Sequence, residues 1–453
     1  MTTTVSEELP EEISTEGSTF RTILGNRDFS RLWFGQLVSN VGFAISSLAL
    51  LFFAYDLTGS ALAMAILAMA QTAPVVIFAG FIGVYVDRWN RKTIMIASDI
   101  ARAFLILLIP LAPLFPLVLA PIEWIYLLTF LYAIANAWFY PARSASIPNI
   151  VESDELVTAN SLSQMTFQVV QLTIPPLGGV LVALLAPDYF LAFAINSVTF
   201  ILSAIALRGI KTSLVPKEMV EKESVRSQVV QGARYAANNV ILVYLFVFAI
   251  LVASSSGILN ALLIPHLEGQ LGITEMQFGL VLSAGAASGI VVALVMGNRK
   301  RLPKPLYIVA SAGIVAGIAV LGLAGAQGFW QVLLSWALIG SVDVMLNIPL
   351  GTLMQELVVD NYRGRVFALF NVVFTAVQVF GMGLGGVWAE TAGSTVPPMF
   401  GAAIGLLIVS LIGAAVAARK RLHSQLDVML DDSDQEVARE ETECTDVLLE
   451  VPT

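Results

Sequence analysis

The chain has 453 residues, of which 57% are hydrophobic and only 13% charged, with a mean hydropathy of +0.81. That composition describes a polypeptide whose solvent is mostly lipid, and it excludes a soluble enzyme of about three domains, the count that length alone suggests. The formal charge of −9 speaks against nucleic acid as a partner, but the acid sits in the ends: residues 1–20 and 422–453 together carry −14 and leave the body, 21–421, at +5. One cysteine, Cys444, and two histidines, His266 and His423, leave no intramolecular disulfide, no cysteine-based metal site and no histidine cluster.

Residues 1–30 read as an acidic cytoplasmic tail without the apolar core of a secretory signal, so the first span itself must direct insertion. A transmembrane helix needs about 20 mainly apolar residues to cross about 30 Å of hydrocarbon. Stretches free of Asp, Glu, Lys and Arg run 32–55, 57–86, 103–122, 124–142, 156–187 and 189–207, and then 240–265, 276–298, 305–342, 366–389 and 391–418. The run 305–342 is too long for one helix and is broken at Gly325-Ala326-Gln327-Gly328, giving the ninth span and the start of a tenth that passes Asp343. The third span begins near Thr93 and carries Asp99 and Arg102. Twelve spans result, followed by an acidic, disordered cytoplasmic tail over 421–453.

With a cytoplasmic N-terminus, every Lys and Arg outside a helix falls in a cytoplasmic segment, while the outer loops hold Asp56, Glu123, Asp188, Glu268 and Glu275 and no base. That asymmetry predicts a multi-pass protein of the cell (inner) membrane with both termini inside. The polar stretch Arg208–Asn239 separates six spans from six, so the expected organisation is a bundle over 31–209, a cytoplasmic linker over 210–238 and a second bundle over 239–420. Gln171-x6-Gly178-Gly179 in the fifth span recurs as Gln378-x6-Gly385-Gly386 in the eleventh, and Asn136 and Pro141 in the fourth match Asp343 and Pro349 in the tenth to within a residue. Two pseudo-equivalent bundles with a site between them are the architecture of an alternating-access carrier.

Between the second and third spans stands Gly83-Val84-Tyr85-Val86-Asp87-Arg88-Trp89-Asn90-Arg91-Lys92. Gly83 permits a close helix contact, and Arg88, Arg91 and Lys92 face cytosol or lipid phosphate. Positive-inside orientation accounts for the bases equally well, but nothing in topology asks for Asp87. The segment resembles the G-x-x-x-D-R-x-x-R-K signature of the major facilitator superfamily, with Tyr85 and Asn90 in place of the usual Leu and Gly. The resemblance implies an all-α polytopic fold of 12 transmembrane helices in two pseudo-symmetric six-helix bundles. It also implies that Asp87 holds the outward-facing state by pairing with bases, for which Arg143 and Arg365 are available, and with the dipole at the start of the eleventh helix.

Phe29-x-x-Leu32-Trp33-x-Gly35-Gln36, Asp56-Leu57-Thr58-Gly59-Ser60, Pro141-Ala142-Arg143-x4-Pro148 at the close of the fourth span, and Arg363-Gly364-Arg365-Val366-Phe367 are similar to the macrolide-efflux-type and siderophore-exporter-like members of that superfamily over about 20–420. Pro175-Pro176-Leu177-Gly178-Gly179 is similar to the end of the motif associated with its antiporters, although Ile174 replaces the first Gly. Proline removes a backbone donor and glycine narrows the helix, so the segment either couples the two bundles or is a plain kink. The chain departs from proton-coupled drug exporters at Phe43, where relatives often carry an acid, and in lacking a central arginine in the fourth span.

No Walker A sequence occurs, so a proton gradient rather than a bound cofactor is the expected energy source. Ionisable groups inside the bilayer are expensive and therefore functional suspects: Asp99, Arg102 and Asp343. Asp99 and Arg102, spaced i, i+3, can simply neutralise one another. Asp343, with Asn347 one turn away, either takes up and releases a proton or packs the second bundle. Substrate-cavity candidates are Gln36 and Asn40 in the first span, Asn136 in the fourth, Gln164, Gln168 and Gln171 in the fifth, Asn347 in the tenth, and Asn371 and Gln378 in the eleventh; interhelical hydrogen bonding explains any one of them as well. Many amides and few charges suit a small amphiphile. The expectation is a non-enzymatic, monomeric secondary exporter of a drug-, macrolide- or siderophore-like compound, with lipid, substrate and protons as its partners and no nucleic acid. An uptake carrier, a lysolipid-type flippase and a non-transporting receptor or scaffold are the alternatives. No nucleophile, base and metal constellation points to an enzyme.

Overall fold

The computed structural model describes residues 20–114, 120–152, 155–185, 188–215, 225–297 and 305–417; most of both acidic tails, with Cys444, lies outside the described residues. The helices are α1 (Phe20–Gly25), α2 (Arg27–Thr58), α3 (Ala61–Val86), α4 (Arg91–Leu108), α5 (Pro121–Ile150), α6 (Leu156–Leu185), α7 (Phe190–Arg208), α8 (Val225–Ala237), α9 (Val240–Ile264), α10 (Glu275–Gly297), α11 (Pro305–Ala324), α12 (Phe329–Leu357), α13 (Asp360–Ala392) and α14 (Val396–Ala417). Among the described residues, all helices but the short α1 and α8 contribute to twelve segments long and apolar enough to cross a membrane.

Local chemistry sets the ends. The Asn26 side chain accepts from the backbone N–H groups of Asp28 and Phe29 at 3.0 and 3.2 Å and starts α2, which stops where Gly59 turns left-handed at φ 57°. Asn90 and Asn239 cap α4 and α9 in the same way. Large apolar side chains such as Phe104, Leu184 and Ile205 point outward, as expected when the surrounding solvent is hydrocarbon, and small residues mediate the helix contacts.

Four boundaries differ from the sequence-based expectation. Helix α5 does not close at Pro141-Ala142-Arg143 but continues through Pro141 and Pro148 to Ile150, because the missing proline donors interrupt single bonds without removing the surrounding ladder. Helix α13 begins at Asp360, so Arg363 and Arg365 are helical. The segment expected as linker contains α8, whose Gly232 packs against the Arg365 carbonyl of α13, 2.7 Å from where a Cβ would stand. Helix α1 and the start of α2 likewise occupy the end of the segment expected as tail.

The duplication is visible in packing. A Cβ at Gly178 of α6 would stand 3.1 Å from Leu48 of α2; one at Gly385 of α13 would stand 3.1 Å from Ile258 of α9. Gly179 instead faces the other half, at the Glu275 carbonyl of α10, and Gly386 faces the other half, at Leu62 and Ala65 of α3. Each Gly-Gly pair therefore binds its own bundle with one residue and the opposite bundle with the next.

Candidate transport site

The two halves have one face carrying Arg88, Arg91, Lys92 and Arg363, called here the basic face, and one carrying Asp56, Glu123, Asp188, Glu268, Glu275 and Glu390, the acidic face. Contacts that lock the halves together lie toward the acidic face. Gly279 of α10 abuts the Pro175 carbonyl of α6, Ser283 Oγ donates to the Leu172 carbonyl at 3.2 Å, and Phe52 meets Phe278 edge to face at 5.5 Å. Ser60 Oγ donates to Glu390 Oε2 at 3.1 Å, and Gly269 lies against the Tyr55 hydroxyl. Beside them Tyr189 Oη donates to Asp56 Oδ2 at 2.6 Å; burial first, then this carboxylate, holds the phenol above its ordinary pKa, so it remains a donor.

Under this closure a cavity of about 380 Å³ lies between the halves. Leu51, Met64, Ala68 and Gln71 come from one half; Ser256, Asn260, Phe278, Trp336 and Asp343 come from the other. A smaller chamber of about 230 Å³ shares Ser256 and Asp343 with it and adds Asn347 and Gln378. Asp343 is exposed to this space, accepts from Asn347 Nδ2 at 3.0 Å and forms no ion pair among the described residues. Gln378 Nε2 donates to Ser256 Oγ at 3.3 Å. The site is thus an apolar room with a few amides and one acid at its wall, suited to hold an amphiphile by area and orient it by hydrogen bonds.

Toward the basic face, a concavity of about 580 Å³ is lined by Gln36, Tyr140, Arg143, Asn160, Gln164 and Phe167, all from the first half. Asn40 is buried beside this wall's helix and its Nδ2 lacks a partner among the described residues. Asn371 is exposed, and its carbonyl accepts from Thr375 Oγ1 at 2.8 Å. The side chains of Gln168 and Gln171 lie outside the described residues.

Asp99 and Arg102 pair inside the first half, both buried. Arg102 also donates to Asn136 Oδ1 at 2.9 Å and lies 4.2 and 4.4 Å from the ring centres of Phe139 and Phe200. Asn136 is therefore turned to Arg102, away from the cavity to which its sequence position had assigned it. In the loop motif, Arg91 Nη1 donates to the Ala145 carbonyl and Asn149 Oδ1, each at 2.7 Å, and Lys92 Nζ donates to the Ile210 carbonyl at 2.7 Å. Asp87 caps the end of α3, its N–H reaching the Gly83 carbonyl at 3.2 Å. A Cβ at Gly83 would meet open space, so the close approach expected there is absent among the described residues. Arg365 lies 5.4 Å from the Tyr362 ring, in the opposite half from Arg143. Pro175 and Pro176 lie inside α6 where it crosses α10.

Gln71, Ser256 and Trp336 were not picked out from the sequence. A lone amide in the otherwise apolar second span was the available signal for Gln71; Ser256 and Trp336 carried none, because only the crossing of α9 with α12 and α3 turns them to a common space.

A family profile described as "Transmembrane secretion effector" matches residues 18–443. The chain is similar to the MFS-type transporter YfiS of Bacillus subtilis (strain 168), with 25% identity covering 85% of this chain and 93% of that protein. It is similar to Macrolide efflux protein A of Streptococcus pyogenes, with 26% identity covering 81% and 90%. Among solved structures, a bacterial homologue of the iron transporter ferroportin in an inward-facing state superposes with a TM-score of 0.68 at 17% identity, covering 87% of this chain and 99% of that one.

Proposed function

The chain belongs to the transmembrane secretion effector family of major facilitator transporters, and on that premise we propose that it exports a small, weakly charged amphiphile in exchange for protons. The observation that carries the reading is Asp343, an acid without an ion-pair partner among the described residues, at the wall of the inter-half cavity, with Asn347 to orient it. An acid so placed can alternate between charged and neutral forms as the cavity changes sides, and a largely apolar lining fits an amphiphile better than an inorganic ion. Its relation to Macrolide efflux protein A supports the export direction. In this reading the basic face is cytoplasmic, as the distribution of Lys and Arg favours, and the described conformation is the inward-open one. Asp99 and Arg102 serve as the first bundle's internal clamp.

Transport in proteoliposomes under an imposed pH gradient tests the proposal, with a panel of macrolides, siderophores and lysolipids. Gradient-driven efflux of at least one compound, lost in Asp343→Asn, is the expected result. Efflux that ignores the gradient, or an unchanged Asp343→Asn rate, overturns proton coupling through this residue.

A further inference from the structure

The outer side of the first half carries a concavity unrelated to the central cavity. A groove of about 780 Å³ runs between α4 and α5, and none of the described residues of the second half lines it. Its floor is made of small side chains, Ala97 and Ala101 one turn apart on α4 and Ala135 on α5, and Leu105 and Leu131 flank it with apolar surface. Asp99 and Arg102, on the same helix, face the bundle interior, so the groove opens away from it, toward hydrocarbon.

The mouth of the groove, at the basic face, is different in kind. Trp89 and Trp138 stack there with centroids 6.0 Å apart and an interplanar angle of 13°, and Tyr85 packs against both. Aromatic rings of this sort favour the headgroup level of a bilayer. Arg88 stands beside them, exposed. Of the three bases in the loop motif, Arg91 and Lys92 are engaged by carbonyl groups of the protein, whereas Arg88 forms no ion pair among the described residues. From Asn90 to Leu105 the groove follows α4 for about 22 Å at 1.5 Å per residue, more than the roughly 15 Å of one hydrocarbon leaflet.

We propose that this groove binds an anionic phospholipid of the basic-face leaflet, its phosphate at Arg88, its glycerol region against the Trp89–Trp138 stack and one acyl chain along Ala97 and Ala101. Positive charge at the mouth, aromatic rings at interfacial depth and an apolar channel of leaflet length occur in the order in which a phospholipid presents the complementary groups. Because Arg88 and Trp89 belong to the same loop as Asp87, the bound lipid contacts the gating motif directly.

Native mass spectrometry of the full-length protein, titrated with phosphatidylglycerol or phosphatidylcholine of matched chains, tests the site. The expected result is preferential retention of phosphatidylglycerol by the parent. Arg88→Gln should weaken it about fivefold, the worth of one basic residue at an anionic membrane surface, and Ala101→Phe, which fills the channel, should remove the high-affinity adduct while the unfolding temperature stays near the parent's. Ala97→Leu, a milder filling, keeps the test open if Ala101→Phe does not fold. Phosphatidylglycerol with a brominated acyl chain should quench tryptophan emission in the parent, less in Trp138→Phe and least in Ala101→Phe. Equal retention of the two lipids, an unaltered adduct in both filled variants, or displacement of the lipid by soluble glycerol phosphate would overturn the proposal.

Discussion

Gly279 of α10 lies against the carbonyl oxygen of Pro175 in α6, with no room for a Cβ between them. The absence of a side chain at Gly279 lets the backbones of α10 and α6 touch on the acidic side of the cavity, at the point where Pro175 and Pro176 interrupt the hydrogen-bond ladder of α6. Enlarging Gly279 should therefore act on one conformation of the transporter and not on its fold. Gly279→Leu is expected to destabilise the closed acidic face by about 1–3 kcal/mol, as overpacking does, and to shift the population toward the state open at that face. Labelling of an acidic-face cysteine should rise and turnover should fall; unchanged labelling would separate this contact from closure.

The internal ion pair of the first half is expected to be structural. Arg102→Leu leaves Asp99 buried without its partner, which should cost about 3–5 kcal/mol and lower the detergent unfolding temperature sharply, whereas the double replacement Asp99→Leu with Arg102→Met should recover most of the loss. A pH-dependent transport defect in a fully stable double variant would instead place the pair in coupling.

Asp343→Asn keeps the hydrogen-bonding shape next to Asn347 but cannot ionise. Substrate binding should persist while the response of efflux to an imposed pH gradient disappears and the pH profile of exchange flattens. Binding isotherms and flux at several pH values check this; a gradient response equal to the parent's would contradict it.

The loop motif divides into two tasks. Arg91 bridges from α4 to the Ala145 carbonyl and Asn149, so Arg91→Gln should loosen the end of α5 and lower stability. Asp87→Asn should slow turnover with little loss of folded protein. Thermal unfolding paired with initial transport rates distinguishes the two, and equal stability losses would erase the distinction.

The sequence allowed the twelve spans and the repeat to be read because lipid enforces them: charge-free runs and the one-sided placement of bases follow from desolvation alone. The Gly178-Gly179 and Gly385-Gly386 pairs were legible as a repeat, yet the sequence did not tell that the second glycine of each pair touches the opposite bundle. That depends on the crossing of α6 with α10 and of α13 with α3. The site was less legible. Asp343 stood out as an acid in a long apolar helix, but Asn136 looked equally suitable and is turned to Arg102, while Ser256 and Trp336 became visible only when four helices met. Proline misled at α5, where Pro141 suggested an end and the helix runs on to Ile150.

The proposed transport cycle rests on one motion, a reciprocal opening of the two faces around Asp343. Electron–electron distance measurements on protein with Cys444→Ser test it most directly, using one spin-label pair at Leu57 and Thr391 on the acidic face and another at Ser144 and Arg363 on the basic face, all exposed positions. The acidic-face pair should be short and the basic-face pair long in the conformation described, and acidification or transported compound should lengthen the first while shortening the second. Distances that stay fixed, or that lengthen together, would contradict it.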